Sequence, residues 1–320
     1  MRVFVYEYLT ATGTGRDPAA AEHGIFREGR AMRDAVAADF ARIPGVQVST
    51  LDDAEDERRE FAALAQTAVY TLVIAPEFDG ILEKRTRWAE ESGTLLLGSS
   101  PELVAFAADK AAVAARWREH GIPTPATTTR EPTPCEAFPV VWKPRDGCGS
   151  TATFLLRSTF DLASAKAKRA AEGHAGPMIL QEFVPGTPAS VALLAGAAGV
   201  FPLAPCFQYL TDDGRFKYLG GSLPIPPEFA ERVVKLATRA VGCVPSLMGY
   251  LGVDLILGDA ADGSRDYAVE INPRLTTSYV GLRELAEFNI AEQLMRVVGG
   301  SAPEPMRWKA EPVRFTADGF

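Results

Sequence analysis

Over the first hundred residues, short apolar runs alternate with longer stretches of helical periodicity. That rhythm constrains the fold more than any other feature of the chain. Residues 2–8 form an apolar run of strand character, followed by a loop at 10–15. Residues 25–42 carry Met32, Val36, Phe40 and Ile43 at helical spacing. Strand-like runs return at 46–51, 70–75 and 94–97, with helical stretches at 55–66 and 79–91 between them. This alternation predicts a parallel sheet covered by helices, an α/β lobe ending near residue 100.

Beyond that point the pattern changes. A helix within 101–120 stops at Gly121, and Ile122-Pro123-Thr124-Pro125 is stiff and extended. Next come a strand at 140–143, a glycine-rich loop at 145–151, a helix at 160–172 and a strand at 178–183. The remainder reads as a strand at 190–195, a loop through 211–227, a helix at 228–247, strands at 251–257 and 266–271, and a final helix at 283–298. Residues 300–320 are proline-rich and expected to be irregular. Mixed hairpins and helices fit an α+β unit better than a second doubly wound lobe. With 320 residues, 47% of them hydrophobic, the chain can bury two or three compact cores. The expected lobes are 1–100, 101–188 and 189–320.

The formal net charge is -8, from 41 acidic and 33 basic residues. A mildly acidic surface argues against general nucleic-acid or membrane-surface binding, while leaving room for a local basic pocket. The run from Met1 to Tyr6 is too short for a signal peptide or a membrane span. Cys135, Cys148, Cys206 and Cys243 form no CxxC pair and match no zinc spacing. They are expected to be free thiols in a reducing cytoplasm. His23, His120 and His174 show no ligand spacing and are expected at the surface.

The richest segment for chemistry is Gly252-Val253-Asp254-Leu255-Ile256-Leu257, a polar turn, and Asp266-Tyr267-Ala268-Val269-Glu270-Ile271-Asn272-Pro273-Arg274. Glu270 and Asn272 are two apart on a strand and share a face. A hairpin folded symmetrically about Asp262 sets Asp254 opposite Glu270. Val253, Leu255, Val269 and Ile271 are then expected to bury the other face. Close carboxylates on a half-buried sheet need a cation, and hard oxygen donors suit Mg²⁺. Three solvated side chains on an exposed face are the competing reading. Arg274 just beyond suits a phosphate or acyl phosphate.

A second feature is Lys143 at a strand end, followed by Gly147, Gly149 and Ser150. Glycines let backbone N–H groups approach phosphate oxygens, although an ordinary turn gives the same pattern. No Walker A lysine ends the loop. Lys110, after Asp109 on the preceding helix, is by itself an ordinary helix lysine.

In order along the chain, Asp109-Lys110, Lys143-Pro144 with its glycine loop, Gln181-Glu182-Phe183-Val184-Pro185-Gly186, Asp254 and Glu270-Ile271-Asn272-Pro273-Arg274 resemble the ATP-grasp superfamily. The resemblance runs from Tyr6 to about residue 298. It implies an ATP-grasp fold behind an N-terminal parallel lobe. It also implies phosphate contacts from Lys110 and Lys143, adenine recognition along Gln181, Glu182, Phe183 and Val184, and Mg²⁺, with Mn²⁺ as an alternative, at Asp254, Glu270 and Asn272. Many members carry a glutamate for the ribose shortly after the hinge; here the stretch is Gly186-Thr187-Pro188-Ala189-Ser190, and Ser190 is the substitute. Tyr6-Glu7-Tyr8, Arg27-Glu28-Gly29-Arg30, Ala75-Pro76-Glu77, Gly98-Ser99-Ser100-Pro101 and Asn272-Pro273-Arg274-Leu275-Thr276-Thr277-Ser278-Tyr279 resemble the tyramine–L-glutamate ligase group within the superfamily.

The resemblance implies an ADP-forming carboxylate–amine ligase acting through an acyl phosphate, with glutamate and tyramine as the expected pair in methylofuran-type cofactor synthesis. Another amino acid or amine, or a nucleotide-binding sensor without turnover, are the alternatives. Residues 211–222 are a candidate lid, whose glycines permit hinge motion and whose Arg215 or Lys217 would reach the terminal phosphate. Substrate contacts are expected from Glu7, Thr12, Gly13, Glu28 and Glu77 on the first lobe. Either Arg283 or the hydroxyls of Thr276, Thr277 and Ser278 are expected to hold a carboxylate, and Glu7 and Glu77 an amine. Each of these has a capping or packing role as its alternative. The expected partners are small molecules, and ligases of this kind often form homodimers.

Overall fold

The computed structural model describes residues 1–20, 22–133 and 137–319, so Cys135 lies outside the described residues. The chain opens with β1 (Arg2–Glu7), α1 (Tyr8–Thr12), α2 (His23–Ala41), β2 (Gln47–Thr50), α3 (Glu57–Ala65), β3 (Tyr70–Ile74), α4 (Ile81–Glu91) and β4 (Leu95–Leu96). The four strands form one parallel sheet in the order β2-β1-β3-β4. Alternate residues of β1 serve two cores, as a period of two requires. Val3 and Val5 face Met32, Val36 and Phe40 of α2, while Phe4 and Tyr6 face Phe61 and Trp88. The expected loop at 10–15 is in part the helix α1. The Glu7 carboxylate caps it by accepting from the N–H groups of Leu9 and Thr10 at 3.1 and 2.8 Å, and Gly13 ends it at φ 68°.

Two helices follow, α5 (Pro101–Ala108) and α6 (Lys110–Glu119), and then β5 (Thr127–Thr128), β6 (Val140–Pro144), β7 (Phe154–Leu156), α7 (Asp161–Ala171) and β8 (Met178–Glu182). The second sheet is antiparallel, ordered β5-β8-β6-β7. Grouped with this small sheet by sequence, α5 and α6 pack elsewhere. Ala107, Val113 and Trp117 join the core of the third sheet, and the Trp117 indole N–H donates to the Ala240 carbonyl at 2.9 Å.

The third sheet comprises β9 (Thr187–Gly196), β10 (Gly199–Pro202), β11 (Cys206–Leu210), β12 (Tyr218–Leu223), β13 (Gly249–Leu257), β14 (Tyr267–Asn272) and β15 (Val313–Thr316). Helices α8 (Pro227–Val241), α9 (Ser278–Leu285) and α10 (Ile290–Val298) cover it. Its order is β14-β13-β9-β11-β12-β15, with β10 paired to β9. The expected final helix is interrupted at 286–289, and Asn289 caps its second half. Residues α9 and α10 contribute to the α2 face join the N-terminal and third sheets in one core.

Two expectations are overturned together. The tail is not irregular throughout, because β15 pairs antiparallel with β12 and buries Phe315 at 2% exposure. Gly220 and Gly221 of the 211–222 segment are likewise strand positions and not hinges, while Gly214 stays in the turn at φ 79°. A Cβ on Gly220 would sit 2.1 Å from the Phe315 carbonyl oxygen, so Gly220 serves close backbone approach inside a sheet. Among the described residues no helix is long and apolar enough to cross a membrane. Cys148, Cys206 and Cys243 are free thiols.

Candidate active site

The β13–β14 hairpin pairs Gly252 with Asn272, Val253 with Ile271 and Asp254 with Glu270, and then slips, so that Leu255 faces Ala268. Val269 is the extra residue of this β-bulge. Ala268 and Ile271 enter the core behind the sheet, whereas Val269 and Glu270 both face a cleft of about 1360 Å³. The expectation that Val269 would bury the back face is therefore corrected, because the bulge breaks strict alternation. The expected Asp254–Glu270 pairing is present. The Asn272 amide donates to Asp254 at 2.9 Å, and the Gln208 amide, for which the sequence carried no signal, donates to its other oxygen at 3.0 Å.

Opposite these acids stand two lysines from different elements. Lys110 begins α6, where Asp109 caps the helix by accepting from the N–H groups of Ala111 and Ala112. Asp109 also holds the Arg145 guanidinium, and the Lys110 N–H donates to the Arg145 carbonyl at 3.0 Å. The glycine loop is thereby tied to the helix start, a role for Asp109 and Arg145 that sequence reasoning missed although an Asp before a helix is a cap signal. The Lys110 ammonium lies 3.2 Å from Glu270 and donates to the Gly147 carbonyl at 2.8 Å. Lys143, on β6, is buried. Burial first, and the charge of Lys110 after it, pull its pKa down to about 8 against the opposing pull of Glu270 and Asp254. The Asp254 pKa is pushed up to about 6, by burial and then by the charge of Glu270.

This donor set fits a hard divalent cation. The Asp254 and Glu270 carboxylates pair across the hairpin, the Asn272 amide bonds Asp254, and Asp254 is held with its pKa raised by burial and then by the Glu270 charge. Among the described residues no three His, Cys, Asp or Glu side chains gather as a metal cluster. A cation here would rely on Asn272 and on oxygens brought by a ligand.

Gly147 and Gly149 take φ values of 119° and 67°. A Cβ on Gly149 would meet Ile25 at 2.9 Å, so the loop touches the first lobe. Ser150 spends its hydroxyl on the Phe216 carbonyl at 2.7 Å, and Phe216 stacks on Phe183 across the cleft at 6.2 Å. Gln181 donates to Thr127, and the Glu182 N–H donates to Ala126, both on the wall where β8 ends. Val184 lines the same wall. Ser190 faces the cleft, but its hydroxyl contacts the Cys206 thiol at 3.1 Å. Arg215 lines the cleft while paired with Glu172 at 2.7 Å and lying over Phe154; Lys217 lines the cleft beside it. His174 also lines the cleft rather than the outer surface.

Arg274 is held by Glu77, with Nε 2.8 Å from one carboxylate oxygen. Burial opposes its charge, but Glu77 first, with Cys148 and Glu270 after it, raises its pKa above the ordinary value. Thr276, Thr277, Ser278 and Glu28 line the cleft nearby. The Glu28 pKa is pushed up to about 7, chiefly by burial; Arg274 opposes the rise and Asp318 adds to it.

Five residues expected to contact substrate do not line the cleft. Glu7 is buried as the α1 cap, and Thr12 and Gly13 complete that helix end outside the cleft wall. Glu77 is occupied by Arg274 instead of standing ready for an amine. Arg283 reaches the buried Asp39 of α2 at 2.8 Å and joins two lobes structurally. For Glu7, Glu77 and Arg283, a charged side chain that looked available satisfies a partner within the fold.

The family pattern described as the ATP-grasp domain matches residues 107–278, and that of the pre ATP-grasp 3 domain matches residues 30–104. The tyramine–L-glutamate ligase of Methanocaldococcus fervens is 27% identical over 334 aligned positions, covering 98% of this chain and 99% of that protein. The enzyme of the same name from Methanocaldococcus jannaschii is 27% identical, covering 99% and 94%. A solved ATP-grasp superfamily protein from Archaeoglobus fulgidus superposes with a TM-score of 0.73 at 26% identity, covering 96% of this chain and 91% of that one. With paired acids on a bulged hairpin facing two lysines across a cleft between sheets, the chain belongs to the ATP-grasp family.

Proposed function

We propose that this protein is an ADP-forming ligase that activates a carboxylate with ATP and joins it to an amine, with L-glutamate and tyramine as the pair. The observation that carries this reading is the convergence of Asp254 and Glu270, paired across the bulged hairpin, on Lys110 and Lys143. Full-length similarity to two tyramine–L-glutamate ligases supports the substrate pair. A place in methylofuran-type cofactor synthesis, a cytoplasmic location and a homodimer follow from the same resemblance.

Asp254, Glu270 and Asn272 would hold Mg²⁺, which supplies charge compensation for the phosphates. Lys110 and Lys143 hold phosphate oxygens, assisted by the backbone of the loop carrying Gly147 and Gly149. The nucleobase lies along Gln181, Glu182, Phe183 and Val184, against the Phe216 ring. A carboxylate oxygen attacks the γ-phosphorus and ADP departs, leaving an acyl phosphate. The amine nitrogen then attacks the acyl carbon, phosphate leaves and the nitrogen loses a proton. Fixed positive charge from Lys110, Lys143 and Arg274 lowers the barrier because it needs no reorganisation during the step. Arg215 and Lys217 would turn toward the terminal phosphate when Arg215 leaves Glu172. Thr276, Thr277 and Ser278 orient the donor carboxylate, and Glu28 faces the amine.

Phosphate release with ATP, Mg²⁺ and defined acid–amine pairs tests this. Release that requires glutamate and tyramine together is the expected result. Release with a different pair moves the substrate assignment, and ATP binding without release under every pair removes the ligase reading.

A further inference from the structure

The last strand delivers its following residues to the cleft. Thr316, Ala317 and Asp318 line it, and the Ala317 N–H donates to the Leu219 carbonyl at 3.2 Å. Phe315 anchors this segment in the core. Asp318 then forms an ion pair with Arg27 of α2, on the opposite lobe.

A second cavity of about 770 Å³, open to solvent, lies over α2, bounded by Arg16, His23, Arg30 and Asp52 among others. Arg27 and Asp318 are the two residues whose side of the wall belongs to both cavities. Their ion pair therefore stands as a partition between the nucleotide cleft and the neighbouring chamber. Glu28, Thr277 and Arg274 lie on the cleft side of it. Both halves of the partition fall outside the two matched family regions, which span 30–104 and 107–278.

We infer that the C-terminal segment 316–318 is the end wall of the substrate part of the cleft, and that Asp318 and Arg27 act as paired positioning residues that limit which amine the site admits. This rests on the ligase reading above. With the pair intact, an amine must end at the wall. With it broken, the cleft opens into the second chamber, a longer amine fits, and a short one is held less well. The pair is partly solvent-exposed, so its loss should weaken amine binding severalfold rather than abolish it.

The test measures KM and kcat for tyramine, for a tyramine O-alkylated with a propyl chain, and for ATP. The enzymes are wild type, Asp318→Asn, Arg27→Gln and the exchanged double variant Arg27→Asp with Asp318→Arg. Each single variant should raise the tyramine KM roughly three- to fivefold and shift selectivity toward the longer amine, with the ATP KM unchanged. The exchanged pair should restore much of the tyramine preference. Unchanged amine KM and selectivity in both single variants, with wild-type turnover present, overturn the inference alone. An equal rise in the ATP KM also overturns it, since that shows general loosening of the cleft. Absence of amine-dependent phosphate release in the wild-type enzyme removes the ligase reading and this inference with it.

Discussion

Glu28→Gln should make the protein more stable at pH 8 while leaving stability nearly unchanged at pH 5. Glu28, on α2, faces the cleft with its pKa pushed from an ordinary 4.5 up to about 7, by burial and then by Asp318 acting against Arg274. Between those two pH values the native state holds a proton that the unfolded chain releases. Native protein then binds more protons than unfolded protein, so stability falls as pH rises through this window. At roughly 1.4 kcal/mol per pH unit the full effect reaches about 3 kcal/mol. Partial contact with solvent reduces the expected gain to about 1–2 kcal/mol. Glutamine keeps the shape and the polar contact to Thr277 but cannot ionise. Urea unfolding of both proteins at pH 5 and pH 8 gives the difference directly, and other titrating groups cancel because both proteins share them. A stability difference equal at the two pH values, or a glutamine variant weaker at pH 8, would refute the assignment of a strained carboxylate at this position.

Glu270→Gln should lower kcat by roughly 10²–10³ while the melting temperature stays within a few degrees, because the carboxylate faces the cleft and not the core. Steady-state phosphate release and a thermal melt check the two halves of that statement. Gly220→Ala should cost about 2 kcal/mol or more. Its φ is 135°, and the new methyl group would meet the Phe315 carbonyl at 2.1 Å, prising β15 from β12. Thermal unfolding of that variant with a wild-type midpoint would contradict the close approach.

Much of the architecture was legible along the chain because it depends on local spacing. The helix period of Met32, Val36 and Phe40 set α2, and the apolar run at 2–8 marked β1, although its division between two cores appeared only in the fold. Folding the β13–β14 hairpin symmetrically about Asp262 was enough to set Asp254 against Glu270 by counting residues. What no spacing encodes is which distant group satisfies a polar side chain. Glu7 turned to its own helix, Glu77 to Arg274 and Arg283 to Asp39, the last pair 244 residues apart. The bulge at Val269 and the strand holding Phe315 were equally hidden, since each depends on a neighbouring strand's path. Periodicity is a property of the local backbone, whereas burial and partner choice are settled only when separate segments compete for the same volume and the same hydrogen bonds.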